Sequence, residues 1–157
     1  MPIAQPVGPS RRIVQQLTAI WGERTESLVV VLELDAKHIA MAGLSNDGLS
    51  LFSLSYDAKT VVSDKSPLLP DSVKPEWMIA DLQLVYWPLA VLRKNLPAEW
   101  HIQAGAQQRD LFVADKKQVA VRYLTTDADW PRDVELVNFK YQYRLHIKTL
   151  SYDLIPE

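Results

Sequence analysis

The sequence predicts an α+β fold that is mostly β: a strongly curved antiparallel sheet with a central broken helix covering its concave face. Three observations predict it. Period-2 apolar patterns fill both ends of the chain, and short turns join them. One long helix-period segment, residues 75–97, sits between these two β-meanders and carries a proline in its middle. Strands do not alternate with helices, which argues against a parallel βαβ sheet. A closed barrel is the main alternative.

The bulk numbers agree with a single domain. The chain has 157 residues, of which 48% are hydrophobic, enough for one core. Its net charge of -2 gives no general attraction to nucleic acid or acidic lipid. With 0 cysteines, a disulfide framework, a thiolate nucleophile and a Cys-ligated zinc site are excluded. Pro2, Pro6, Gly8 and Pro9 disfavour regular structure, so residues 1–10 read as a flexible tether and 11–157 as the domain. The N-terminus lacks an apolar h-region and a lipidation cysteine and does not read as a signal peptide.

The first meander begins with RRIVQQLTAIWGE, read as a strand with a helix as its competitor. SLVVVLELD is a strong strand with Leu28, Val30, Leu32 and Leu34 on one face. HIAMAGLS follows, then the turn SNDG, where Asn, Asp and Gly tolerate positive φ. LSLFSLSYD places Phe52, Leu54 and Tyr56 opposite Ser53 and Ser55, and TVVSD is a further short strand. KSPLLPDSVKP is an irregular connection. The second meander comprises EWHIQAG, RDLFVAD and QVAVRYLT, then the loop TTDADWPRD and a final segment. From Phe139 onward that segment alternates, with Tyr141, Tyr143, Leu145 and Ile147 on one side and Lys140, Arg144, His146 and Lys148 on the other. It reads as one long strand.

In PEWMIADLQLVYWPLAVLRKNLP, Pro75 suits the first helical position and Glu76 the first turn. Met78, Leu82, Val85, Leu89, Leu92 and Leu96 form one apolar face; Trp77, Leu84, Trp87 and Val91 form a second. Pro88 splits or kinks the helix and is the expected hinge. Asp81, Gln83 and Pro88 argue against a membrane span.

Chemistry-bearing motifs are sparse. His38, His101 and His146 lack the spacing of a metal pair, and no cofactor or metal is expected. GLSND lacks the second glycine of a nucleophile elbow and joins two strands. The acidic loop with Asp127, Asp129 and Asp133 lacks the calcium-loop glycine and glutamate. The stripe Lys140, Arg144, His146 and Lys148 reads as a solvated strand face, with an acidic partner as the alternative. No nucleophile–base constellation supports an enzyme. The aromatics fit either a filled core or the walls of an apolar cavity between sheet and helix.

The motifs GLSNDGLSLFSLSYD, SPLLPDSVKPEWMIADLQLVYWP and YRLHIKTL resemble an uncharacterised bacterial lipoprotein family of unknown function, often encoded in aryl polyene biosynthesis clusters. The resemblance covers roughly residues 11–150 and is most specific at LLP…PEW…DLQLVYWP. That family is similar to the Lol lipoprotein carriers LolA and LolB, incomplete β-barrels whose apolar concave side is covered by helices and holds acyl chains. The resemblance therefore implies a half-barrel and a non-enzymatic periplasmic protein that shields an acyl or aryl-polyene lipid chain. It implies anchoring to the outer membrane in the native precursor, although the lipoprotein cysteine is missing from this sequence. Membrane contact would come only through that anchor, and nucleic acid is not an expected partner. The residues expected to line the groove are Leu32, Phe52, Leu54, Trp77, Leu82, Tyr86, Trp87 and Leu89. A structural or adaptor lipoprotein, docking on an envelope exporter or lipoprotein partner without a bound ligand, is the alternative.

Overall fold

The structure is a computed structural model that describes residues 6, 8–57, 59–69, 74–125 and 130–155. Strands β1 (Arg11–Trp21), β2 (Arg24–Leu34), β3 (Ile39–Leu44), β4 (Ser50–Tyr56) and β5 (Val61–Lys65) precede helices α1 (Pro75–Tyr86) and α2 (Leu89–Lys94). Strands β6 (Trp100–Gly105), β7 (Gln108–Val113), β8 (Lys116–Tyr123), β9 (Asp133–Asn138) and β10 (Tyr143–Leu154) follow. All ten form one antiparallel sheet in the order β5-β4-β3-β2-β1-β10-β9-β8-β7-β6. The two meanders meet where β1 pairs with β10. Among the described residues the edges β5 and β6 do not pair, so the sheet stays open.

Hydrogen bonds show that the sheet wraps the helix. Strands β5 and β7 lie eight strand spacings apart, roughly 38 Å along a flat sheet. Yet α1, about 10–12 Å across, touches both. Ser63 of β5 donates to Glu76 (2.8 Å), and Arg109 of β7 donates to the Leu84 carbonyl (2.9 Å). Only a strongly curved sheet brings those strands to one helix.

Register explains the core. Leu54, Met41, Leu32 and Ile13 stand in one row across β4, β3, β2 and β1, and all four are buried. A second row runs Leu28, Leu17, Ile147 and Val134 across β2, β1, β10 and β9. A bulge in the β1–β10 pairing between Val14 and Gln15 sets Gln15 opposite Thr149, with both side chains buried. Gly43 sits in β3 under the ring of Phe52; a Cβ there would lie 2.0 Å from Phe52 Cε1.

The helix breaks where the proline requires. Pro75 opens α1, Glu76 lies in its first turn, and Pro88 stands between α1 and α2. The C-terminal carbonyls of α1 have no partners within the helix. Arg109 takes two of them, donating to Leu84 (2.9 Å) and Trp87 (2.7 Å), and the Tyr123 hydroxyl donates to the Val85 carbonyl. The break expected to act as a hinge is therefore tied to β7 and β8.

One expectation is corrected. The alternation from Phe139 suggested a single long strand, but β10 starts at Tyr143 and residues 139–142 form the β9–β10 turn. Asn138 Oδ1 accepts from the Tyr141 N–H (2.8 Å), and Gln142 adopts φ 60°. Local hydrogen bonding overrides the period-2 pattern there. Of the predicted tether, residues 1–5 and 7 lie outside the described residues. Pro6 is buried, and Ser10 accepts from the Ile155 N–H (2.9 Å).

Candidate functional site

The antiparallel order puts the β1–β2, β3–β4 and β9–β10 turns at one end of the sheet, beside the N-terminal end of α1. A cavity of about 440 Å³ opens there between the sheet and the helix. Its buried wall is Leu17 of β1, Leu28 of β2, Leu145 of β10, Met78 of α1 and Leu69. Leu68, Lys74 and Tyr141 line it from exposed positions and mark its rim. A space of this size with mostly apolar walls suits an apolar ligand.

Asp81 breaks the apolar lining. It is only 5% exposed, yet it is a carboxyl group. The Tyr143 hydroxyl donates to its Oδ2, and Asn138 Nδ2 donates to the Tyr143 oxygen (3.1 Å). Burial disfavours the charged carboxylate and raises its pKa to about 7, against the lowering effect of the Tyr143 hydrogen bond. Burial and the neighbouring Asp81 charge in turn push the Tyr143 phenol upward. The wall of the cavity thus carries a carboxyl group poised between its neutral and charged forms near neutral pH.

Trp77 and Tyr141 stack with ring centres 4.0 Å apart and planes 11° from parallel. Behind them lies a second cavity of about 300 Å³, lined on its polar side by Glu76, Gln118, Asn138 and Lys140. Trp77, Asp81, Tyr141 and Tyr143 line both spaces, so they form a partition. The ammonium of Lys74 lies 5.7 Å from the Trp77 ring centre, and that of Lys140 lies 5.2 Å from the Tyr141 ring centre.

Of the eight residues expected to line the groove, Trp77 alone lines either of these cavities. Leu32, Phe52, Leu54, Leu82 and Trp87 are buried in the packed core. Leu89 is partly buried against that core. Tyr86 accepts from Gln15 Nε2 (2.9 Å) and stacks on Trp130 with ring centres 4.2 Å apart. The physical reason is depth. Periodicity identifies inward faces, but the middle of the wrapped sheet is packed against the helix, and the two cavities described lie toward one end. Sequence reasoning read Asp81 only as a charge opposing a membrane span. Its position four residues after Trp77, on the same side of α1, was the available signal.

The histidines lie apart from the cavity. His38 pairs with Asp35 (3.0 Å), His101 stacks on Phe112 (4.8 Å), and His146 hydrogen-bonds Asp133. Of the expected basic stripe, His146 is thus engaged with Asp133, and Lys140 lies in the β9–β10 turn rather than on the strand. Among the described residues no group of His, Asp and Glu is arranged to hold a metal ion, and no helix is long and apolar enough to cross a membrane.

A family model described as a protein of unknown function (DUF3261) matches residues 12–151. No curated protein matches the chain.

Proposed function

We propose that this chain, which belongs to the DUF3261 family of unknown function, is a non-enzymatic lipid-handling protein that shelters an acyl or aryl-polyene chain from water. The observation that carries this reading is the cavity of about 440 Å³, walled by leucines of β1, β2 and β10 and by α1. Moving apolar ligand surface from water into such a space is favourable by roughly 25 cal/mol per Å² before association costs. The open sheet wrapped on a helix supports a likeness to the LolA and LolB carriers. That likeness in turn supports action in the periplasm, at the inner face of the outer membrane when a lipid anchor is present.

The alternative is an adaptor that docks on an envelope exporter or a lipoprotein without a ligand. The solid packing around Leu32, Phe52, Leu54 and Trp87 favours it, because much of the concave face has no free space. Organic extraction of the purified protein, followed by mass spectrometry, separates the two. A co-purifying lipid, together with binding of the neutral apolar probe phenylnaphthylamine, supports the carrier. Absence of both supports the adaptor.

A further inference from the structure

Helix α1 divides the hollow of the sheet into two lobes. Trp77 and Asp81 stand one helical turn apart and line both cavities. Lys74 and Met78 fall to one side of that row and line the cavity of about 440 Å³. Ala80 and Leu84 fall to the other side and line the space of about 300 Å³. The helix is thus a ridge with a lobe on each flank.

The two lobes are alike in chemistry and in direction. The second is walled at depth by Leu84 of α1, Leu111 of β7 and Val119 of β8, all buried, as the first is by Leu17, Leu28 and Leu145. Its charged residues Glu76 and Lys140 are exposed and stand at its rim. Val113 and Gln118 line it from either side of the β7–β8 turn, which the antiparallel order puts at the same end of the sheet as the β9–β10 turn. Tyr141 of the β9–β10 turn is exposed and lines both lobes, so they share one mouth.

The wall between the lobes is held by its own contacts. Trp77 stacks on Tyr141 at 4.0 Å between ring centres, the Tyr143 hydroxyl donates to Asp81, and Asn138 Nδ2 donates to the Tyr143 oxygen (3.1 Å). These polar groups bond one another, which leaves the apolar sides of each lobe to a ligand. One chain cannot fill both lobes without breaking this wall. Two chains joined at one end can, with the junction over the exposed edge of Tyr141.

Resting on the lipid-handling reading above, we infer that the occupant is a two-chain amphiphile, with one hydrocarbon chain seated on each side of α1 and the Trp77–Tyr141 stack between them. Its head stays in water at the shared mouth. Once one chain is seated, the other is held beside its own lobe at high effective concentration, so the pair binds far more tightly than either chain alone.

The test is displacement of phenylnaphthylamine from the intact chain by three amphiphiles with the same phosphocholine head: dioctanoyl phosphatidylcholine, octylphosphocholine and hexadecylphosphocholine. Each is titrated below its aggregation concentration. The two-chain lipid is expected to compete at about one-hundredth the concentration of octylphosphocholine. It is also expected to outcompete hexadecylphosphocholine, which carries the same number of chain carbons in a single tail. Ala19→Trp fills the first lobe from β1, and Ala80→Trp fills the second from α1. Each should cut the two-chain advantage over octylphosphocholine to about tenfold or less. The comparison in the unaltered protein decides the matter even where a variant fails to fold. Parity of the two-chain lipid with octylphosphocholine, or hexadecylphosphocholine competing as well as the two-chain lipid, overturns the inference. So does an undiminished two-chain advantage in either folded variant. Those outcomes leave the lipid-handling reading standing, because a single chain still binds. Absence of probe binding ends both.

Discussion

Tyr143, at the start of β10, donates its hydroxyl hydrogen to Asp81 in the middle of α1, a residue 62 positions earlier in the chain. This bond joins the second meander to the helix and partly offsets the effect of burial on the cavity-wall carboxyl group. The folded state raises the Asp81 pKa from 3.8 to about 7, chiefly by burial. Between those values the folded protein holds a proton that the unfolded chain releases. Stability from this group is therefore highest at the acid end and falls as pH rises through the window, by up to about 4 kcal/mol. Asp81→Asn removes that slope and keeps an acceptor for Tyr143. Urea unfolding at about pH 5 and about pH 7.5 is expected to show the variant gaining on the unaltered protein at the higher pH. An equal difference at both values would show that Asp81 does not titrate there.

Gly43 has a steric reason to be glycine. Its φ is not in the left-handed region, but the Phe52 ring occupies the place of a side chain. Phe52 is itself buried at 2% exposure, so it has no solvent to swing into. Gly43→Ala is expected to cost about 1–3 kcal/mol through overpacking. A chemical-denaturation midpoint equal to that of the unaltered protein would contradict the packing argument.

Arg109 holds the end of α1 through two carbonyls. Arg109→Met leaves those acceptors without their cation and is expected to cost about 2–3 kcal/mol. Lysine should rescue only part of this, because one ammonium does not reproduce the planar guanidinium fork. Hydrogen exchange at α1 gives the local readout: amides near its C-terminal end should lose protection first.

Trp77 and Trp87 lie one on each side of the distinction between cavity and core. Trp87 is 1% exposed, and Trp87→Ala is expected to cost about 3–5 kcal/mol. Trp77 is partly exposed and lines both cavities, so Trp77→Ala should cost stability by less. Its effect should appear instead in phenylnaphthylamine affinity, weakened about tenfold by loss of one aromatic wall. Fluorescence titration alongside urea unfolding resolves the two. Unchanged affinity in folded Trp77→Ala would remove this ring from the site.

The sequence by itself determined the elements. Alternation at Leu28, Val30, Leu32 and Leu34, the turn at Ser45–Gly48, and the proline pair Pro75 and Pro88 reflect local geometry, and the corresponding strands, turn and broken helix are present. These features were legible because backbone period and proline sterics act over a few residues. Local reasoning failed at Phe139–Gln142, where an Asn138 hydrogen bond makes a turn from an alternating run. Only the tertiary structure decided which inward faces remain open. Leu32 and Leu28 share the inward face of β2, yet Leu32 is sealed by packing and Leu28 lines the cavity. That difference depends on where a sheet of ten strands closes on one helix, and on contacts such as Trp77 with Tyr141 and Asp81 with Tyr143 that join residues distant in the chain.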